Sequence, residues 1–569
     1  MKQKKWILLF SILLGVFFSF TSHQNSWALP SDIPMPETSS KKFKEAVKRA
    51  RKMAKRKVAS QPKEDVPEEK ATSELFRNIR NSFIGGEVQL QGKEGDKVVE
   101  RPGAKSAEDI HELLTQIQKN LKSGVYKDDQ KALFLANQLS LAIPFRGFVF
   151  RARDIFDTRD GDAKAAHAFA VTMLRTIASG IITYLPTDQW PAMFQYSVEP
   201  FYVPKTSGWR DKPSQEDRKS CLEKWRSDCD IYDGATFQAW LVKEVMPVVS
   251  DARTRMYSMD FEKEPVYWDN QILYGAANFT SSRDRFLKLG EAERYAMLSA
   301  YDVTLSSILG INAFRLDGFF EAFDSVAKEY GYSAAFNTFN ATSMKRFNVV
   351  RKKHKNLFKF KGDTAKQRTE SLVYLKSSYA YLKVAMQNAY VSWQILDNGE
   401  HDNGLQQNLF DPRAVAPFSR IIGTGMQNSF AILGTNMDLE TVSNPEVVSA
   451  VVNGEKVSIN LAKFFEEPPN SLQDFMPLRG EGRVAGARGP GALPQKKADR
   501  KGFLYVNIDG KKVEYRDYFR GSPTHWNYSV YDKYFPGTKT SDGVRQLNRV
   551  LSQSWGTFFL GIPLSFVVL

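Results

Sequence analysis

The sequence predicts a mainly α protein: a multi-helix body with a few β-hairpins, followed by a mixed α+β C-terminal portion. Apolar residues recur at three- and four-residue steps, most clearly Leu372, Leu375, Tyr379, Leu382, Met386, Ala389, Trp393 and Leu396. Helix-capping pairs stand at the heads of two helical stretches, Ser106 with Asp109 and Thr364 with Gln367. Short β-branched runs around Gly-containing turns occur in only a few places.

Along the chain, the first 28 residues have the three parts of a cleavable secretory signal. Lys2, Lys4 and Lys5 precede an apolar run from Trp6 to Phe20, and Ser26-Trp27-Ala28 puts small residues where a signal peptidase reads. As a helix the run would reach roughly 22 Å, short of a bilayer core of about 30 Å. The run is not followed by a cysteine for lipid attachment, nor preceded by an arginine pair, so the general secretory route is expected. The destination is then periplasmic or extracellular.

Residues 29–73 read as an exposed arm and linker. Phe43, Val47, Ala50, Ala54 and Val58 share one helical face among cations, of which Lys44, Lys48, Arg51 and Lys55 are the expected surface-binding set. Residues 61–74, rich in Pro, Lys and Glu, read as the linker. The formal net charge of +15 resides largely here. Residues 41–57 hold ten Lys or Arg and one acid, and the signal holds three lysines, which leaves +3 for the remainder. A nucleic-acid footprint is therefore confined to one segment, and export turns that segment toward anionic lipid or an acidic envelope polymer instead.

The helical body is expected over residues 74–440. It opens with a hairpin, residues 87–90 against 97–100, and continues with a helix headed by Ser106 and Asp109 and ended at Gly124. Residues 128–141 make a second helix, stopped by Pro144, and residues 163–184 a third. The segments 235–248, 283–309, 312–330 and 333–350 suit helices, and 365–396 forms the longest, capped by Thr364 and Gln367. Beyond 440 come hairpins around Asn453-Gly454 and Asp509-Gly510, a mobile Gly/Arg-rich loop at 479–497, and an uncharged tail read as buried. The 40 Phe and 22 Tyr are better suited to a core than to sugar-stacking platforms.

Cys221 and Cys229 are the chain's two cysteines, and export favours pairing them. On one straight helix they would lie roughly 12 Å apart, beyond the limit of about 7 Å for a disulfide, so the segment must bend.

The search for chemistry is mostly negative. His111-Glu112 begins like a zinc-protease helix, but Thr115 stands where the second histidine is needed. Phe156 occupies the first position of a would-be calcium loop at Asp157–Asp162. Ser325-Val326-Ala327-Lys328 has the spacing of penicillin-recognising enzymes, yet Lys205-Thr206-Ser207-Gly208 precedes it where their Lys-Thr-Gly element follows. Glu370-Ser371 and Gly404-Leu405-Gln406-Gln407 resemble elements of lytic transglycosylases, in which the Glu is the general acid. The likeness covers six residues, lacks the Ala-Tyr-Asn element, and places Glu370 about 200° around the helix from Leu372.

The densest polar cluster follows the longest helix: Asp397, Glu400, His401 and Asp402, interleaved with Asn-Gly turn residues. These are the candidate catalytic residues for acid–base work, against a plain helix-stop reading. No cofactor and no metal is expected. Two functions remain: an exported envelope protein with a binding or structural role at an anionic surface, or a cell-wall hydrolase using the acids near 397–402.

Overall fold

A computed structural model of the chain describes residues 45–50, 66–90, 97–152, 189–198, 215–274, 285–318, 353–397, 448–452, 455–459, 462–475, 505–508, 511–514 and 527–539. They form a mainly α protein with four two-stranded antiparallel sheets among the described residues. The chain divides into two compact units. One draws on Trp27–Ile308 and Ala380–Ile421, the other on Leu309–Tyr379 and Ile422–Leu569. The described residues 309–318 and 353–379 fall in the second unit.

The first unit is organised by capped helices. Ser73 accepts a hydrogen bond from Phe76 N at the head of Glu74–Ile84. Ser106 and Asp109 form a reciprocal capping box at the head of Ala107–Ser123, which ends on left-handed Gly124. Asp129 caps Gln130–Ser140. The apolar faces of these helices meet in one core, with Phe76, Ile79 and Phe83 against Ile110, Leu114, Ile117, Leu135 and Tyr196. The expected hairpin is present as β1 (Gly86–Leu90) and β2 (Lys97–Arg101). Its base needs Gly103, whose φ is +80° and where a Cβ would stand 2.7 Å from the Gly85 nitrogen.

Gln130–Arg151 is long and apolar enough to cross a membrane by length and composition. It is interrupted by the 3-10 turn Ile143–Phe145, and 61% of its apolar window is buried within the protein, so it serves here as core. Trp240 closes that region, donating Nε1–H to the Pro144 carbonyl at 2.9 Å and packing on Phe145, Phe148 and Phe237. Its helix, Gly234–Trp240, runs through a π-helical stretch, Leu241–Val245, into Met246–Ser258. Pro247 explains the widening, because its ring clashes with the carbonyl one turn earlier and it has no N–H to donate.

Three expectations are corrected in this unit. The arm is docked where it is described: residues 45–50 are helical, Val47 and Ala50 are buried, and Arg49 reaches Asp260 and Glu262 at 2.8 Å. The described part of the linker, residues 66–74, is also structured. Val66 and Ala71 pack on Tyr267 and Phe286, and Glu68–Ala71 is a short helix whose first acid has two arginine partners. The segment expected as a helix over 283–309 contains strand β4 (Phe286–Leu289), paired with β3 (Val266–Asp269). The helix itself is Glu291–Asn312.

In the second unit, residues 314 and 359–360 make isolated bridges, Phe314 to Phe360 and Lys359 to Ser471. Phe464, from the helix Ala462–Glu466, packs on Phe314, Phe475 and Tyr534. The buried hydroxyl of Tyr531 donates to the Phe475 carbonyl at 2.7 Å. The aromatic residues accordingly fill cores in both units. The hairpins β5 (Val448–Val452) with β6 (Glu455–Ile459), and β7 (Tyr505–Ile508) with β8 (Lys511–Glu514), stand where expected. Each leaves two residues, Asn453-Gly454 and Asp509-Gly510, to make the connection.

Candidate functional site

The strongest candidate by perturbed chemistry is a cluster around Asp302. The Glu291–Asn312 helix carries Asp302 inward among Val303, Leu305 and Ile308, and its side chain is wholly buried. Arg253, on Met246–Ser258, donates its Nε–H to Oδ1 at close range. Asn388, on the Ala365–Asp397 helix, donates to Oδ2 at 2.7 Å and to the Tyr257 hydroxyl at 2.8 Å. The Arg253 guanidinium lies over the rings of Tyr257 and Tyr381, 4.7 and 5.3 Å from their centroids.

Burial pushes the Asp302 carboxyl up to about 7, against the opposing pull of Arg253 and Asn388. Burial likewise raises the Tyr257 phenol to about 12 and the Tyr381 phenol to about 12. Tyr257 remains 40% exposed, so the cluster reaches the surface through that ring and not through the acid. A carboxyl poised near neutrality is the usual currency of general acid–base work. Here, however, it is saturated by a guanidinium and an amide. Its fixed donors suit a structural tie between three helices.

Other buried or half-buried acids in the first unit are held by arginines in the same way. Glu68 and Asp269 share Arg80 and Arg285 through contacts of 2.8 to 3.0 Å, and Asp269 Oδ1 also accepts from Gln271 N. Glu291 holds Arg294 and caps Phe261 N at 2.8 Å. Arg151 makes a two-point contact with Glu244 at 2.6 and 3.0 Å. Among the described residues there is no group of three or more His, Cys, Asp or Glu that could hold a metal ion.

No family model, curated protein or solved structure matches the chain.

Of the sequence-expected site residues, Asp397 is the last residue of the Ala365–Asp397 helix, while Glu400, His401 and Asp402 lie outside the described residues. Lys48 is exposed on the helical stretch 45–50; Lys44, Arg51 and Lys55 lie outside the described residues. Cys221 and Cys229 form the expected disulfide, with 5.7 Å between their Cα atoms. The chain bends between them as required: Gln215–Glu223 ends, and Cys229 N turns back to the Arg226 carbonyl at 3.1 Å. This pairing is the one structural sign that accords with an oxidising compartment.

Glu370 is half-buried near the head of the long helix, with Ser371 buried beside it. Its charge opposes the fall of the Lys361 ammonium, which burial and the Arg315 guanidinium bring down to about 7. No motif signalled Lys361, Asp302 or Asn388. The one usable signal for Asp302 was a lone acid in the otherwise uncharged stretch from Ala300 to Leu309.

Proposed function

We propose that this is an exported protein of the cell envelope with a binding or structural role at an anionic surface. The observation that carries the reading is how the basic segment is held. Val47 and Ala50 are buried and Arg49 is committed to Asp260 and Glu262, while Lys48 stays exposed. A basic helix anchored along one face with Lys48 left exposed suits lipid head groups or acidic wall polymer. The signal-like N-terminus and the disulfide support export, to the periplasm or beyond it. The buried and half-buried acids support a structural body, since those described above are each held by an arginine partner.

Incubating the purified chain with wall sacculi separates this reading from the hydrolytic one. Binding is expected to bring the protein down with the sacculi and release no soluble fragments. Released muropeptides or glycan fragments, abolished by replacing Glu400 and His401, would instead assign a wall hydrolase.

A further inference from the structure

The Cys221–Cys229 segment does more than close a short loop. It carries Trp225, whose Nε1–H donates to Glu244 Oε1 at 2.7 Å and whose ring lies 5.5 Å from the Arg151 guanidinium. At its far end the Cys229 carbonyl accepts from Arg151 Nε at 2.8 Å, and just beyond it Ile231 N donates to the Arg151 carbonyl at 2.7 Å. Arg151 is fully buried and Glu244 is 15% exposed. One bent segment therefore supplies the acid with an indole donor and the guanidinium with a carbonyl acceptor. Glu244 itself sits in the π-helical stretch Leu241–Val245 that precedes Pro247.

We propose that the Cys221–Cys229 disulfide is a redox latch on the Arg151–Glu244 ion pair: the oxidised bond seats Trp225 and the Cys229 carbonyl on the pair, and reduction releases them. The step is thiol–disulfide exchange. A thiolate of a dithiol reductant attacks one cysteine sulfur and the S–S bond breaks. The second reductant thiol then resolves the mixed disulfide, leaving two cysteine thiols and the reductant as its cyclic disulfide. Two electrons and two protons pass to the protein. Released from the bond, the segment is free to leave a buried charged pair short of two partners, and such a pair is costly to leave incomplete. The chain would thus complete this closure only once it meets an oxidising environment. The latch does not depend on what the protein binds.

The test is a thermal melt of the full chain, with and without dithiothreitol, in the wild type, Trp225→Phe and Glu244→Gln. If the bond acts through the ion pair, reduction lowers the wild-type melting temperature, and both substitutions shrink that shift by about half or more. The oxidised-minus-reduced change in tryptophan emission is also largely lost in Trp225→Phe. An equal shift in all three chains would overturn the latch, because the bond would then act only by constraining the unfolded loop. A Cys221→Ser/Cys229→Ser chain that melts with the oxidised wild type would overturn it as well. Should Glu244→Gln fail to fold, Trp225→Phe decides alone.

Discussion

Asp302 sits between Tyr301 and Val303 on an inward helix face, where an ionised carboxyl is expensive to keep. Its partners come from 49 and 86 positions away, so nothing local in the sequence announces them. The raised pKa has a definite consequence for stability. Below about pH 4 the acid is protonated in both folded and unfolded chains and contributes no pH dependence. As pH rises from about 4 toward 7, the unfolded chain releases its proton first, and the folded state loses stability through that window. Asp302→Asn keeps the shape and removes the titration. It is expected to match the wild type near pH 4 and to be the more stable chain near pH 8, by at most about 4 kcal/mol. Chemical denaturation of both chains at the two pH values checks this. A variant weaker than the wild type near pH 8 would mean that Arg253 holds the carboxyl ionised.

Elements were legible where their signals were local. The Ser106–Asp109 box, Gly124 and the two Gly-centred hairpins behave as their spacing implies. The disulfide was legible because the chain has no other cysteines to choose from. What escaped were elements defined by distant partners. Phe286–Leu289 reads as helix until Val266–Asp269 is beside it. Glu68 looks like linker charge until Arg285, 217 positions on, binds it. The network of Glu68, Arg80, Asp269 and Arg285 joins four separate stretches of chain, and Asp269 is its fully buried member. Asp269→Asn leaves two guanidinium groups to one carboxylate. The expected loss is about 3–5 kcal/mol in urea denaturation. A loss below about 1 kcal/mol would class the network with exposed ion pairs that contribute little.

At the scale of the whole molecule, the charge distribution carries the functional account. The formal +15 concentrates in residues 41–57, and the described part of that segment is anchored on the first unit rather than trailing from it. The candidate catalytic acids beyond Asp397 lie outside the described residues, so the hydrolytic reading gains no geometry, whereas the basic helix gains a docked face. Anchoring also dictates how the segment should be tested. Deleting it would remove Val47, Arg49 and Ala50 from their contacts, whereas reversing only Lys44, Lys48, Arg51 and Lys55 leaves those contacts in place. The most direct measurement is co-sedimentation of the wild type and that fourfold Glu variant with phosphatidylglycerol-containing vesicles at low and high salt. The account predicts wild-type binding that weakens at high salt, where screening shortens the reach of each charge, and a variant that stays in the supernatant at both. Equal binding by both chains, insensitive to salt, would contradict it.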